Sequence, residues 1–504
     1  MSGLSLIDRA QQFAPRTALT VGNQTYTYSD LLAASSQVAA ALLAGQADLH
    51  EARVAFMVPN GLEYVAVQWG IWRAGGVAVP LSSAAAVPEI EYALQDADVS
   101  VVVVPQSLSS KFAATLAPLG RRLLTLETAL SATASTLPQV AANRRAMILY
   151  TSGTTSKPKG VVTTHQTIAA QIESLVTAWA WQPDDCLPLF LPLHHIHGII
   201  NILSCALWSG ATVDVFPRFD SAPILQQVAV QKYTLFMAVP TIYVKLIEAL
   251  QAADDETKAR YVSGFSSMRL MVSGSAALPA QIHETWTRLT GQKLLERYGM
   301  TEIGMALSNP LHGERRPGAV GVPLPGVEVR LMGEEGQVIT AEDTPGEIQV
   351  RGPGVFQEYW NKPQITADSF QDGWFQTGDM AVLERGYFRI LGRMSVDIIK
   401  SGGYKLSALE IEASLCEHPL ILECAVVGLA DETWGETVAA AVVLQPGTTL
   451  DCDTLRDWAR ERLSPYKLPK RLLVLSSLPR NALGKVTKPA VSALFDEKNE
   501  TQEY

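Results

Sequence analysis

The chain is short of basic charge. Its 40 Lys and Arg stand against 50 Asp and Glu, a formal net charge of −10, so it presents no electropositive footprint for nucleic acid. Any anion site must be a local cluster of cations. No apolar run reaches the roughly 18 residues that a membrane helix needs, and no membrane partner is expected. Cysteine is sparse: Cys186, Cys205, Cys416, Cys424 and Cys452 are odd in number and form no C-x-x-C pair. That pattern fits reduced thiols in a cytosol-like compartment better than a disulfide framework. The first residues, MSGLSLIDRAQQFAPRTAL, have no apolar core and carry Asp8. Neither a secretory signal nor a transit peptide is expected, and the expected location is cytoplasmic. Repeats and low-complexity tracts are absent, and so is the G-x-x-x-x-G-K-[ST] loop of the P-loop nucleotide enzymes.

What remains is an ordinary globular composition, 47% hydrophobic and 18% charged over 504 residues, with length for two to four domains. Short β-branched runs alternate with helical patterns: RVAFMVP (53–59), VSVVVVP (99–105), AMILYTSG (146–153), TLFMAVP (234–240) and MRLMVSG (268–274). Such a rhythm predicts β-α units and largely parallel sheets. From about Val320 the pattern shifts to VEVRLM, GEIQVRG and GYFRILG, short strands cut by Gly, Pro and Asp, as in a small antiparallel barrel. After GRMSVD (392–397) a last α+β unit begins. Ser407 and Glu410 open a helix there, two strands follow, and a helix is predicted over 453–463. The fold class is therefore α/β: a large N-terminal domain of two α/β sheet subdomains plus a small β-barrel, and a small α+β C-terminal domain. The boundaries are 1–392, a hinge at 393–397, and a mobile domain at 398–504.

Several segments carry chemistry. YTSGTTSKPKGVV (150–162) follows a buried strand and sets Thr151, Ser152, Thr154, Thr155 and Ser156 around Gly153, with Lys157, Pro158 and Lys159 after them. Hydroxyls, free amides and a lysine are what a polyphosphate needs, although a flexible turn has the same composition. LPLHHIHG (191–198) holds three histidines, but no spaced carboxylate or cysteine completes a zinc set. In LLERYGMTE (294–302), GQKLL reads as a strand entering from solvent, Gly299 breaks it, and Thr301 and Glu302 follow on a loop. Arg297 just before that turn is ordinarily a solvated edge charge. TGD (377–379) alone is a turn, and a lone Lys485 is a surface lysine.

Taken together and in this order, these segments and the late PRNALGKVTK (479–488) resemble the adenylate-forming superfamily of acyl-CoA synthetases, luciferases and peptide-synthetase adenylation domains. The resemblance covers essentially the whole chain. It implies a carboxylate joined to AMP with release of pyrophosphate, then passed to a thiol, with ATP, Mg²⁺ and coenzyme A as cofactors. It gives the 151–159 loop and Tyr298, Gly299, Met300 and Thr301 to ATP, Glu302 to Mg²⁺, and Asp379 and Arg393 to the ribose. Lys485 becomes the lysine that bridges the carboxylate and the α-phosphate. His195 takes the position between acyl pocket and thiol tunnel, with His194 where relatives often carry Phe. The physics agrees, since a carboxylate approaching a polyanion needs cations and a metal around it. Two positions depart from the pattern. Ser156 replaces a glycine of the loop, and one extra residue in GRMSVD moves the pivot to Ser395 or Val396.

The substrate is read from Arg297. FDSAP (219–223) mimics an amino-acid-binding motif but sits in the wrong place, and no carrier domain follows. A fatty acid would want an uncharged tunnel. Arg297 in ERYGMTE, with LPLHHIHG and GERRPGAVGVPLPGVEVR (313–330), looks like the malonyl-CoA synthetases. That resemblance implies that Arg297 clamps the unreacted carboxylate of a small diacid, a bidentate pairing suited to guanidinium. The expected activity is malonyl-CoA formation, with methylmalonyl-CoA as a further product. The alternatives are a ligase for another short or aromatic acid, a luciferase-like adenylating enzyme, or a non-catalytic nucleotide-binding protein.

Overall fold

The computed structural model describes residues 3–116, 120–151, 158–401, 404–431, 434–480 and 486–497. It divides into two compact units. The first is Met1–Val329 with Val350–Phe375, and the second is Arg330–Gln349 with Gln376–Tyr504.

The first unit is built on three sheets. The largest has seven strands in the order Glu358–Tyr359, Lys159–Thr164, Arg145–Thr151, Val77–Pro80, Arg53–Phe56, Val101–Val104, Arg122–Thr125. From Arg145–Thr151 to Arg122–Thr125 its neighbours run parallel, and the first two strands are antiparallel. Parallel strands covered on both faces read as continuous apolar runs, which is why VVVV at 101–104 is wholly buried. The second sheet runs Leu235–Ala238, Leu270–Ser273, Leu295–Met300, Gly304–Ser308, Val322–Pro323, parallel through its first three strands. A third sheet, of Gln24–Thr27, Thr17–Val21, Thr212–Val215 and Cys186–Leu189, lies outside the strands read from sequence. QTYT and TVDV lack the apolar run that announces a buried strand. FDSAP is a helix start: the Asp220 carboxylate accepts the Ala222 N–H and caps Ser221–Ala229.

GQKLL is not the strand expected. Gly291 adopts a left-handed conformation (φ +75) that closes the helix Ala280–Thr290, and pairing begins only at Leu295. Arg297 therefore lies within a strand and not at its exposed entry.

The second unit is mainly antiparallel. Trp374–Glu384 pairs with Tyr387–Arg393 from Asp379 opposite Arg393 to Glu384 opposite Tyr387. Farther along, Ile421–Asp431 pairs with Gly435–Leu444, and Ile399, Leu406, Ile411, Leu415, Val426 and Leu455 fill a separate core. The Ser407 hydroxyl accepts the Glu410 N–H at the start of helix Ala408–Leu415, as its spacing predicts. The predicted helix over 453–463 is shorter, Cys452–Ala459. The Arg462 and Leu463 amides both turn back to the Ala459 carbonyl, and Pro465 stands just beyond.

A buried pair ties the second and third sheets of the first unit. Asp185 is 3% exposed and accepts Arg269 Nε at 2.8 Å, Thr234 Oγ1 at 2.8 Å and the Gln182 amide at 2.7 Å. Arg269 also donates to the Trp179 carbonyl at 2.8 Å. Removing the cation strands a buried carboxylate. Arg269→Leu is expected to cost about 3–5 kcal/mol in urea unfolding; a loss below about 1 kcal/mol, the scale of an exposed pair, would contradict this reading.

Candidate active site

The strand Leu295–Met300 sits between a parallel and an antiparallel neighbour, which fixes its register. Ser273 lies opposite Glu296, and Arg297 opposite Ser308. Alternation then sends Glu296 and Arg297 to opposite faces. The register shifts between Tyr298 and Gly299. At Gly299 a Cβ would stand 2.1 Å from the Gly304 carbonyl oxygen, so only glycine permits this bulge.

Arg297 is 5% exposed, which overturns the solvated-edge reading of this position. Its guanidinium lies over the backbone of Gly274, where a Cβ would come within 2.5 Å of Cζ and Nε. Nη2 donates to Ser275 Oγ over a long 3.4 Å, and Nε has no acceptor. No carboxylate pairs with it among the described residues. Burial lowers its pKa to about 9. A guanidinium still keeps its charge at neutral pH, so the depression measures desolvation that an acid partner would relieve.

Ser275 also meets His197, whose Nδ1 lies 3.0 Å from its hydroxyl. The serine holds a left-handed backbone (φ 69), uncommon outside glycine and concentrated at working sites. His197 is buried and opens a π-helical stretch, His197–Ser204. Burial, then the charge of Arg297 and of His195, drives the His197 pKa well down, so this ring stays neutral. His195 stands 4.3 Å from His194 between ring centroids, and burial pushes His194 to about 4. Arg297 and His197, both buried, thus meet through the half-buried Ser275, with His195 and His194 two and three residues before His197 in the chain. Among the described residues no group of three or more His, Cys, Asp or Glu side chains is arranged to hold a metal ion.

A second group of the first unit surrounds Glu302. Its carboxylate is buried and accepts the Tyr359 hydroxyl at 2.8 Å. The Phe356 amide donates to its carbonyl at 2.7 Å. Lys159 Nζ lies 4.3 Å from the Tyr359 ring centroid. The pairing of Glu358–Tyr359 with Lys159–Thr164 brings this tyrosine to the lysine strand. Thr151 is opposite Lys159 and donates to its carbonyl at 3.4 Å, and Tyr92 donates to the Pro158 carbonyl at 2.8 Å. Tyr298 and Met300 remain on the strand, and Thr301 turns out of it ahead of Glu302. A single buried carboxylate suits Mg²⁺, which takes one or two protein acids and completes its shell with phosphates and water.

In the second unit Asp379 and Arg393 meet directly, Nε donating to Oδ1 at 2.9 Å. TGD is not a turn but part of the strand Trp374–Glu384, and Thr377 fixes it there: its hydroxyl donates to the Ile348 carbonyl and accepts the Asp379 amide. Ser395 and Val396 lie in a turn closed by Val396 and Asp397 amides on the Arg393 carbonyl. Ser152, Gly153, Thr154, Thr155, Ser156 and Lys157, and also Lys485, lie outside the described residues. Reading the sequence missed Gly274, Ser275 and Tyr359 and set His197 aside. The Gly-Ser step after the MRLMV run is the one cue that marks the first two.

The AMP-binding enzyme model matches residues 6–360, and the AMP-binding enzyme C-terminal domain model matches 410–485. The chain is 45% identical to the mitochondrial malonate–CoA ligase ACSF3 of Mus musculus, over 95% of this chain and 88% of that protein. It is 38% identical to malonate–CoA ligase of Arabidopsis thaliana, over 95% and 86%. The structure superposes on the ATP-bound crystal structure of MatB from Rhodopseudomonas palustris with a TM-score of 0.91 at 34% identity, covering 99% of both chains. The o-succinylbenzoate CoA synthetase MenE of Bacillus subtilis gives 0.85 at 29%, over 97% of both. The motifs, the sheets that carry them and matches over nearly the full length lead to one conclusion: the chain belongs to the AMP-binding enzyme family.

Proposed function

We propose that this protein is an AMP-forming malonate–CoA ligase, and the observation that carries the reading is the buried, acid-free Arg297 guanidinium. Malonate and ATP give malonyl-adenylate and pyrophosphate. Coenzyme A then displaces AMP to give malonyl-CoA. Malonate–CoA ligases at 38–45% identity over nearly the whole chain support the same substrate. Methylmalonate adds one methyl group and keeps both carboxylates, so it is the second acid to test.

Each residue has a task. Arg297 takes the distal carboxylate, with Ser275 and neutral His197 fixing the guanidinium from one side. That leaves the reacting carboxylate to face the α-phosphate. Residues 151–159 are assigned to the phosphates through hydroxyls, amides and Lys159, and Tyr298 to Thr301 to the nucleotide. Glu302 would hold Mg²⁺, which would supply positive charge against the phosphates, and Tyr359 orients that carboxylate by its hydroxyl. Asp379 accepts from the ribose hydroxyls, with Arg393 beside it. Lys485 bridges the attacking carboxylate and the α-phosphate. His195 separates the acyl pocket from the thiol. The domain 398–504 turns on the hinge at 393–397, at Ser395 or Val396, between the two steps. Five free cysteines suit a reducing compartment; the cytoplasm is our assignment, while the vertebrate relatives are named mitochondrial. Among the described residues no helix is long and apolar enough to cross a membrane.

Breaking a buried ion pair by removing one partner costs about 3–5 kcal/mol. Arg297→Ala should therefore lower kcat/KM for malonate by roughly 10²–10⁴-fold while activity on butyrate holds or rises. An unchanged malonate-to-butyrate ratio would end this assignment. Lys485→Ala should abolish adenylation, read by malonate-dependent exchange of pyrophosphate into ATP. Thioester formation from preformed malonyl-adenylate should survive. Equal loss of both steps would count against the role given to Lys485.

A further inference from the structure

The second unit holds a half-buried charge cluster that the reaction scheme leaves unused. Lys488, at the start of the helix Lys488–Glu497, places Nζ 2.7 Å from Asp397 Oδ1 and 2.8 Å from Glu412 Oε1. Its side chain is 12% exposed, and those of Asp397 and Glu412 are 15% and 16%. Burial works against the charge on Lys488, but Glu412 and Asp397 outweigh it and its pKa is raised. Glu412 Oε1 also accepts the Val426 amide at 2.7 Å, which roots the cluster in the strand Ile421–Asp431.

Asp397 carries the connection onward. Its second oxygen, Oδ2, accepts the Arg393 amide at 2.9 Å, and its own amide donates to the Arg393 carbonyl at 2.7 Å. These two bonds close a ring of five residues that contains Ser395 and Val396. The ring is tight against Gly392: a Cβ there would stand 2.4 Å from Asp397 Cβ, and the backbone is at φ +125. Arg393 then reaches Asp379. One path of ion pairs and hydrogen bonds thus runs Lys488, Asp397, Arg393, Asp379. It leads from the last helix, across the hinge segment, to the acid assigned to the ribose. Any change of backbone angles at Ser395 or Val396 has to open the Asp397–Arg393 ring, because both closing bonds span those residues.

We propose that Lys488 is a positioning residue: by anchoring Asp397 it holds the hinge ring closed and Arg393 against Asp379, and so sets the protein for the ATP-dependent first step. The inference rests on the nucleotide role given to Asp379 and Arg393 above. A burial-only role for the cluster predicts loss of stability with both half-reactions falling together. A positioning role predicts that they separate.

The test uses the full-length protein and the variants Lys488→Met, Lys488→Arg and the double variant K488M/E412Q. The double variant removes one charge of each sign, so it folds even if Lys488→Met alone does not. KM for ATP and malonate-dependent pyrophosphate exchange are measured beside thioester formation from preformed malonyl-adenylate. We expect KM for ATP to rise and exchange to fall, each by roughly tenfold, in the Met variants. Thioester formation should stay near the parent rate, and Lys488→Arg should recover most of the loss. A fall by one common factor in both steps, no change in either, or an Arg variant no better than Met would overturn the proposal. Asp379→Ala run alongside tests the underlying role separately. If it leaves KM for ATP unchanged the ribose assignment fails, whereas a failed anchor leaves that KM effect intact.

Discussion

A guanidinium at 5% exposure with no acid beside it among the described residues is the constraint around which the first unit is organised. A cation costs free energy when removed from water unless an anion or several acceptors replace the hydration shell. Among the described residues Nη2 donates one long bond to the Ser275 hydroxyl, and Nε is left without an acceptor. In the function proposed above, a carboxylate brought by the substrate would remove that cost. A monoacid of the same size leaves it standing and adds apolar surface against a charge. Discrimination of this kind is asymmetric: sites built around a polar group reject substrates lacking its partner far better than apolar pockets reject a missing methylene.

Keeping such a group in place takes unusual backbone. Gly274 has no Cβ because the guanidinium occupies that space. Ser275 holds φ 69 so that its hydroxyl can lie between Arg297 and His197. The bulge at Gly299 needs the space that a side chain would fill next to Gly304. Beneath these sits the register of three parallel strands. A slip of one residue would exchange Arg297 with Glu296, whose own carboxyl is raised to about 8 by burial on the opposite face. The Asp185–Arg269 pair, whose arginine leads into the adjacent strand Leu270–Ser273, helps hold that sheet to its neighbour.

The parallel strands were legible because their residues are apolar on both faces, so RVAF, VVVV and LMVS announce themselves without alternation. The sheet of QTYT and TVDV was not, since half its residues are polar. At the site, Arg297 stood out as a charge among motif residues, but its burial depends on Leu270–Ser273 and Gly304–Ser308, and neither pairing is written locally. Tyr359 comes to Glu302 from 57 residues away through a two-residue strand too short to show a period. Asp379 and Arg393 were legible as separate motif members; their mutual pairing follows from a hairpin register that only the fold reveals.

The central claim is that the acid must carry a second carboxylate. The most direct measurement is AMP formation by the unaltered protein from ATP, with and without coenzyme A, on malonate, methylmalonate, succinate, acetate and octanoate. Malonate should lead, with methylmalonate the nearest in rate. Acetate should trail it in kcat/KM by a factor approaching 10⁴, the scale for a polar site deprived of its partner. Acetate or octanoate turned over as well as malonate would contradict the account.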